Sequence, residues 1–159
     1  MLVKILQKEK GFTLIELLIV IAIIMIVASF AFPVFSNIQN STLLKDASDQ
    51  CLQAARQAKN SSCSGKDNND HGLYFQHSSE AKDKIVIFTG KTYLSRDTNK
   101  DIEISFEKTI SLSNTFTDNQ IIFYQNSCLP DQNGIINISA SSLSKNINLS
   151  INSIGIISE

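Results

Sequence analysis

At 159 residues, with 43% hydrophobic and 18% charged residues and a formal net charge of −1, the chain is too apolar for a disordered tail and has room for one modest domain. No basic cluster follows the first ten residues, so a nucleic-acid partner is not predicted. Three cysteines without a CxxC, and two histidines remote from any cysteine pair, exclude the spacing of a zinc ribbon.

Residues 1–11 form a short basic leader with Lys4, Lys8 and Lys10, read as a targeting segment outside the fold. An apolar run over residues 12–35 follows, with Glu16 its only charge. As a helix it spans about 36 Å, enough for one bilayer crossing. The basic flank predicts that the leader stays in the cytoplasm and that everything after Phe35 lies outside the membrane. Thr13 and Glu16 have the S/T-x-x-E spacing of a capping box. A carboxylate at the edge of lipid also calls for a partner or a task. Pro33 cannot donate to the carbonyl of Ser29 and crowds that turn. A kink is predicted there rather than a stop, because the helical pattern continues. A rival reading takes the run as a signal peptide cut after Ser29-Phe30-Ala31, leaving Phe32 first.

Residues 36–60 read as the amphipathic half of the same helix. Leu44, Ala47, Cys51, Ala54, Ala55 and Ala58 recur at three- and four-residue steps and form one apolar stripe. Cys51 on that stripe is read as a small core hydrophobe. The helix should fade over Ser61 to Gly65, and Lys66 to His71 should be a polar loop. Residues 61–159 then read as a β-rich head, with β-prone runs at Leu73–Phe75, Ile85–Phe88, Ile102–Phe106, Ile110–Leu112 and Ile121–Tyr124. Further runs fall at Ile136–Ile138, Ile147–Ile151 and Ile154–Ile157. Ile102, Ile104 and Phe106 alternate with polar residues as a half-buried strand would. The class is α+β: a long N-terminal helix packed on an antiparallel β-rich globular head.

Little in this head suggests chemistry. Asp97, Asn99 and Asp101 match the opening of a calcium loop, but Ile102 and Lys108 stand where its glycine and glutamate belong. A solvated hairpin turn is preferred to a calcium site, and no cofactor or metal is predicted. His71 and His77 have no nucleophile in a recognisable context, and no G-x-S-x-G occurs. The chain is read as a non-enzyme. Three thiols allow one bridge in any of three pairings, and Cys63 with Cys128, both in predicted loops, is preferred.

Gly11-Phe12-Thr13-Leu14-Ile15-Glu16-Leu17-Leu18, after a basic leader and before an apolar helix with Pro33, closely resembles the processing motif of type IV pilins and type II secretion pseudopilins. The resemblance implies that a prepilin peptidase cuts between Gly11 and Phe12 and methylates the new amine of Phe12. It implies that Glu16 of an incoming subunit pairs with a neighbour's Phe12 amine and sets the register of a filament. It implies residence as a single-pass protein of the bacterial inner membrane, with the head outside the cytoplasm. Extraction from the bilayer into a pilus or pseudopilus, beside other pilin subunits and through an inner-membrane assembly platform, would follow. The helix-to-strand change near Gly72, the G-x-I-x-I character of Gly134–Ile138 and the closing Ile154–Ile157 look most like the GspH/FimT type, minor pilins or pseudopilins with a two-sheet head. Its DNA-uptake members carry a basic C-terminal Gly-Arg element. Here Ile156 follows Gly155 and the chain ends in Glu159, so DNA binding is not carried over. The alternative is an extracytoplasmic binding domain, either secreted or anchored by a single pass.

Overall fold

The computed structural model describes residues 11–78, 81–141, 143 and 145–159, and only the backbone of residues 30–34. The leader lysines Lys4, Lys8 and Lys10, and the side chains around Pro33, lie outside the described residues. The chain divides into two compact units, one ending at Ile38 and the other Gln39–Glu159.

A 50-residue helix, α1 (Leu14–Cys63), starts in the first unit and continues into the second. No glycine interrupts it, although its β-branched isoleucines and valines are only middling helix formers. Pro33 stands inside the helix and does not end it, so the carbonyl of Ser29 loses its usual donor. Every large apolar side chain from Leu14 to Val27 is exposed, on all sides of the helix. Among the described residues no helix is long and apolar enough to cross a membrane. The apolar stretch with described side chains, Leu14 to Ser29, is shorter than the roughly 20 residues that a span requires.

In the second unit α1 becomes one-sided. Leu44, Ala47, Cys51, Ala54, Ala55 and Ala58 are all buried. Four of these six are alanine, so the sheets can approach the helix closely. Cys51 is a free thiol, pushed up to about 12 by burial against a smaller opposing backbone hydrogen bond. It is inert core filling. The helix ends within the expected fade, and Cys63 is its last residue rather than part of a loop. The stop is set by Gly65, which takes a left-handed φ of 63° and donates to the carbonyl of Ser62.

Among the described residues eight strands follow: β1 (His71–Gln76), β2 (Lys84–Thr89), β3 (Ile102–Ser105), β4 (Ile110–Asn114), β5 (Gln120–Phe123), β6 (Gly134–Ala140), β7 (Asn146–Ile151) and β8 (Ile157–Ser158). They form two four-stranded antiparallel sheets, ordered β3-β2-β1-β5 and β4-β6-β7-β8. One core joins the helix stripe to both. Leu73, Phe75, Ile85, Ile87, Ile121 and Phe123 enter it from the first sheet, and Leu112, Ile136, Ile138, Leu149 and Ile151 from the second. The second sheet is covered on one face, which explains its alternation of isoleucine with serine and asparagine.

The first sheet is covered on both faces. Val86 and Phe88 point away from the shared core and are still buried. Their cover is the segment between β2 and β3. Tyr93 stacks on Tyr74 at 3.7 Å and meets Phe88 edge-on at 5.8 Å, while Arg96 lies 3.7 Å above the Tyr93 ring. Gly72 makes this layer fit, because a Cβ there would lie 2.5 Å from Phe88 and 2.6 Å from the carbonyl oxygen of Ile121. Gly72→Ala is therefore expected to cost about 2 kcal/mol, an overpacking penalty read from urea unfolding. A neutral result would show that the aromatic layer is loose.

The expected half-buried alternation of β3 is corrected by the structure. Ile102 is exposed, Ile104 is only partly buried, and Phe106, deeply buried, lies beyond the strand's end. β3 is an edge strand, and Ile102 lies opposite Ile87 where the core opens into a cavity.

Candidate functional site

Two places gather the residues singled out by sequence. The first is the start of α1. Thr13 is its N-cap, with Oγ1 accepting from the Glu16 amide at 3.3 Å, and Glu16 Oε2 returns to the Thr13 amide and hydroxyl at 3.4 Å each. The box is thus closed in both directions and holds an anion at the positive end of the helix. Oε2 makes both contacts. Among the described residues Oε1 takes part in no hydrogen bond. Phe12 is 78% exposed, and a Cβ built on Gly11 meets nothing within 4 Å. Nothing described in this fold requires glycine at position 11.

The second place is where α1 meets the head. Ser62, fully buried, donates to the carbonyl of Phe123 at 2.7 Å and accepts from the His71 amide at 2.9 Å. Its hydroxyl thereby joins the helix end to β5 and β1. Cys63 and Cys128 form a disulfide, with Cα atoms 4.8 Å apart. Lys59 Nζ donates to the Gly155 carbonyl at 2.7 Å, which ties the closing segment to the same helix turn.

His77 has a hydrogen-bond partner that sequence did not reveal, whereas neither ring nitrogen of His71 has one among the described residues. His77 Nδ1 lies 2.9 Å from both carboxylate oxygens of Asp83, a buried residue of the β1–β2 connection. Asp83 also accepts from the amides of Ser78 at 3.0 Å and Leu112 at 2.8 Å. Burial raises its pKa, but these backbone amides and His77 outweigh burial and hold it below the usual carboxylate range. His71 is buried at the floor of a cavity with Asp67 Oδ2 3.7 Å from Nε2. Burial pushes its pKa down, against the pull of Asp67.

The D-x-N-x-D stretch does not converge on a point. Asp97 caps the 3-10 turn Thr98–Lys100 by accepting from the Asn99 amide at 3.2 Å, and Asp101 accepts from Arg96 Nε at 2.7 Å. Lys100 reaches Asp67 at 2.9 Å. No group of three or more metal-ligating side chains occurs among the described residues.

Residues 6–32 match the family model described as the prokaryotic N-terminal methylation motif. The match takes in Gly11, Phe12, Glu16 and the first part of the apolar helix, and it stops before the head. It marks this N-terminus as that of a prepilin-like substrate of a prepilin peptidase, and it implies assembly with other pilin subunits. No curated protein and no solved structure matches the chain.

Proposed function

We propose that the chain is a structural subunit, a minor pilin or pseudopilin, of a type IV pilus or a type II secretion pseudopilus. The observation that carries this reading is the start of α1, an exposed Gly11–Phe12 junction, a capped Glu16 and a helix apolar on every side. A helix of that kind belongs in lipid or inside other helices. Before assembly it crosses the inner membrane once, with the head on the far side. After assembly it forms the filament core, since bundling exchanges lipid contacts for helix contacts and keeps the helix's internal backbone bonds. The two-sheet head on a helix supports the GspH/FimT type. The head acts as a structural body and not as an enzyme.

Glu16 links the two stages. Cleavage after Gly11 creates an ammonium on Phe12 in surroundings of low dielectric, where an opposite charge is worth more than in water. With Oε2 engaged by Thr13, Oε1 is the oxygen that meets a neighbour's Phe12 amine. Pro33, with no amide to give Ser29, is the point at which the packed helix bends. Mass measurement of the mature protein from membranes tests the reading. The expected product begins at N-methylated Phe12, and a product that begins at Phe32, or an uncut chain, overturns it.

A further inference from the structure

The filament reading gives no task to a cleft on the head between the end of β1 and strand β4. Its volume is about 300 Å³, at the small end of the range for ligand sites, roughly 300–1,000 Å³. That is room for one ring rather than a chain of them. Gln76, Asn114 and Asn119 supply amides and Ser111 and Ser113 hydroxyls, over a floor that includes the buried side chain of Leu112. Asn114 is partly engaged, donating to Asn119 Oδ1 at 3.3 Å and accepting from the Phe116 amide at 3.0 Å, and the remaining amide and hydroxyl groups donate and accept alike. No Asp, Glu, Lys or Arg is among the lining residues.

His77 completes the lining, and its orientation is set from behind. Asp83 is ionised and can only accept, so Nδ1 of His77 carries the proton that it receives. In the neutral ring, Nε2 is then an acceptor, on a side chain 65% exposed. Asp83 is itself fixed by the amides of Ser78 and Leu112. The acceptor lies in the β1–β2 connection, but Asp83 ties that connection to the Leu112 amide of β4.

We propose that this cleft binds one uncharged sugar ring, whose adjacent hydroxyls each donate and accept as the lining does. A free anion finds no lysine or arginine there. A transition metal finds one imidazole, and Asp83 is already engaged by His77 and two amides.

The test is an amide NMR titration of the full chain in phosphocholine-detergent micelles, which carry no sugar headgroup. The probes are methyl α-glucoside, methyl α-galactoside, methyl α-mannoside and N-acetylglucosamine, each to about 50 mM, with glucuronate as the charged counterpart. At least one neutral sugar is expected to shift Gln76, Ser113 and Asn119 saturably, while glucuronate does not. His77→Phe and Ser113→Ala are each expected to weaken binding roughly three- to tenfold, the worth of one neutral hydrogen bond. Both lie on exposed side chains, and unchanged spectra away from the cleft check that each variant folds. The proposal is overturned by the absence of saturable shifts with all four sugars, by glucuronate binding as well as the neutral rings, or by both variants binding as wild type. None of these outcomes depends on filament assembly.

Discussion

Replacing Cys63 and Cys128 together by serine is expected to lower the unfolding free energy of the head by about 4 kcal/mol. The two residues are 65 apart in sequence, and on a chain-entropy account a cross-link of that span removes about that much freedom from the unfolded chain. The native side adds a local reason. Asn126 and Cys128 both hold left-handed backbone, with φ of 65° and 62°, a conformation that side-chain-bearing residues adopt at a cost. Contacts with the helix end and the adjoining turn hold the loop there: the Asn126 amide donates to the Ser62 carbonyl at 3.1 Å, and the Gln125 amide to Asp70 at 2.7 Å. Without the bridge the loop relaxes and the last turn of α1 frays with it. Urea unfolding of the double variant and of reduced wild type should give the same loss. A loss below about 1 kcal/mol in both would show that the buried Ser62 junction holds the helix end alone.

What could be read in advance followed the periodicity. The stripe from Leu44 to Ala58 needs only a helical repeat to declare itself, and Ile136, Ile138, Leu149 and Ile151 need only a strand repeat. Each sees one core on one side. The run Ile85–Phe88 was legible as a strand, but its continuous apolar character also carried an unread message, that both faces would be covered. The cover comes from Tyr93 and Arg96, which look like ordinary loop residues until Gly72 lets Phe88 approach. β3 misled for the opposite reason, since its alternation is good and its edge position leaves Ile102 with little to pack on. At the N-terminus the capping box was legible because Thr13 and Glu16 stand at the S/T-x-x-E spacing. Asp83 was not. Between Lys82 and Lys84 it reads as one charge in a solvated run, and its burial depends on an amide 29 residues later, in the other sheet.

That dependence sets the second large effect. Asp83→Ala is expected to cost about 3 kcal/mol, because it removes a buried acceptor and leaves the Leu112 amide without its partner. The consequence is not local. Leu112 lies on β4, the edge of the second sheet, whereas Asp83 lies just before β2 of the first, so one carboxylate pins the two sheets together. Asp83→Asn keeps one acceptor oxygen and loses the charge, and should cost about half as much. The pH dependence has a definite sign. The folded-state pKa lies below the unfolded one, so the stabilisation is present above about pH 4 and is lost as pH falls through the folded value. The gap between wild type and Asp83→Ala should therefore be widest near neutrality and narrow in acid. Unfolding midpoints in urea at pH 7 and near pH 3 check both statements, and a gap that grows in acid would mean that Asp83 is held protonated in the folded head. Because the same carboxylate fixes the tautomer of His77, Asp83→Asn should also weaken sugar binding at the cleft in a molecule that still folds, which separates its two tasks.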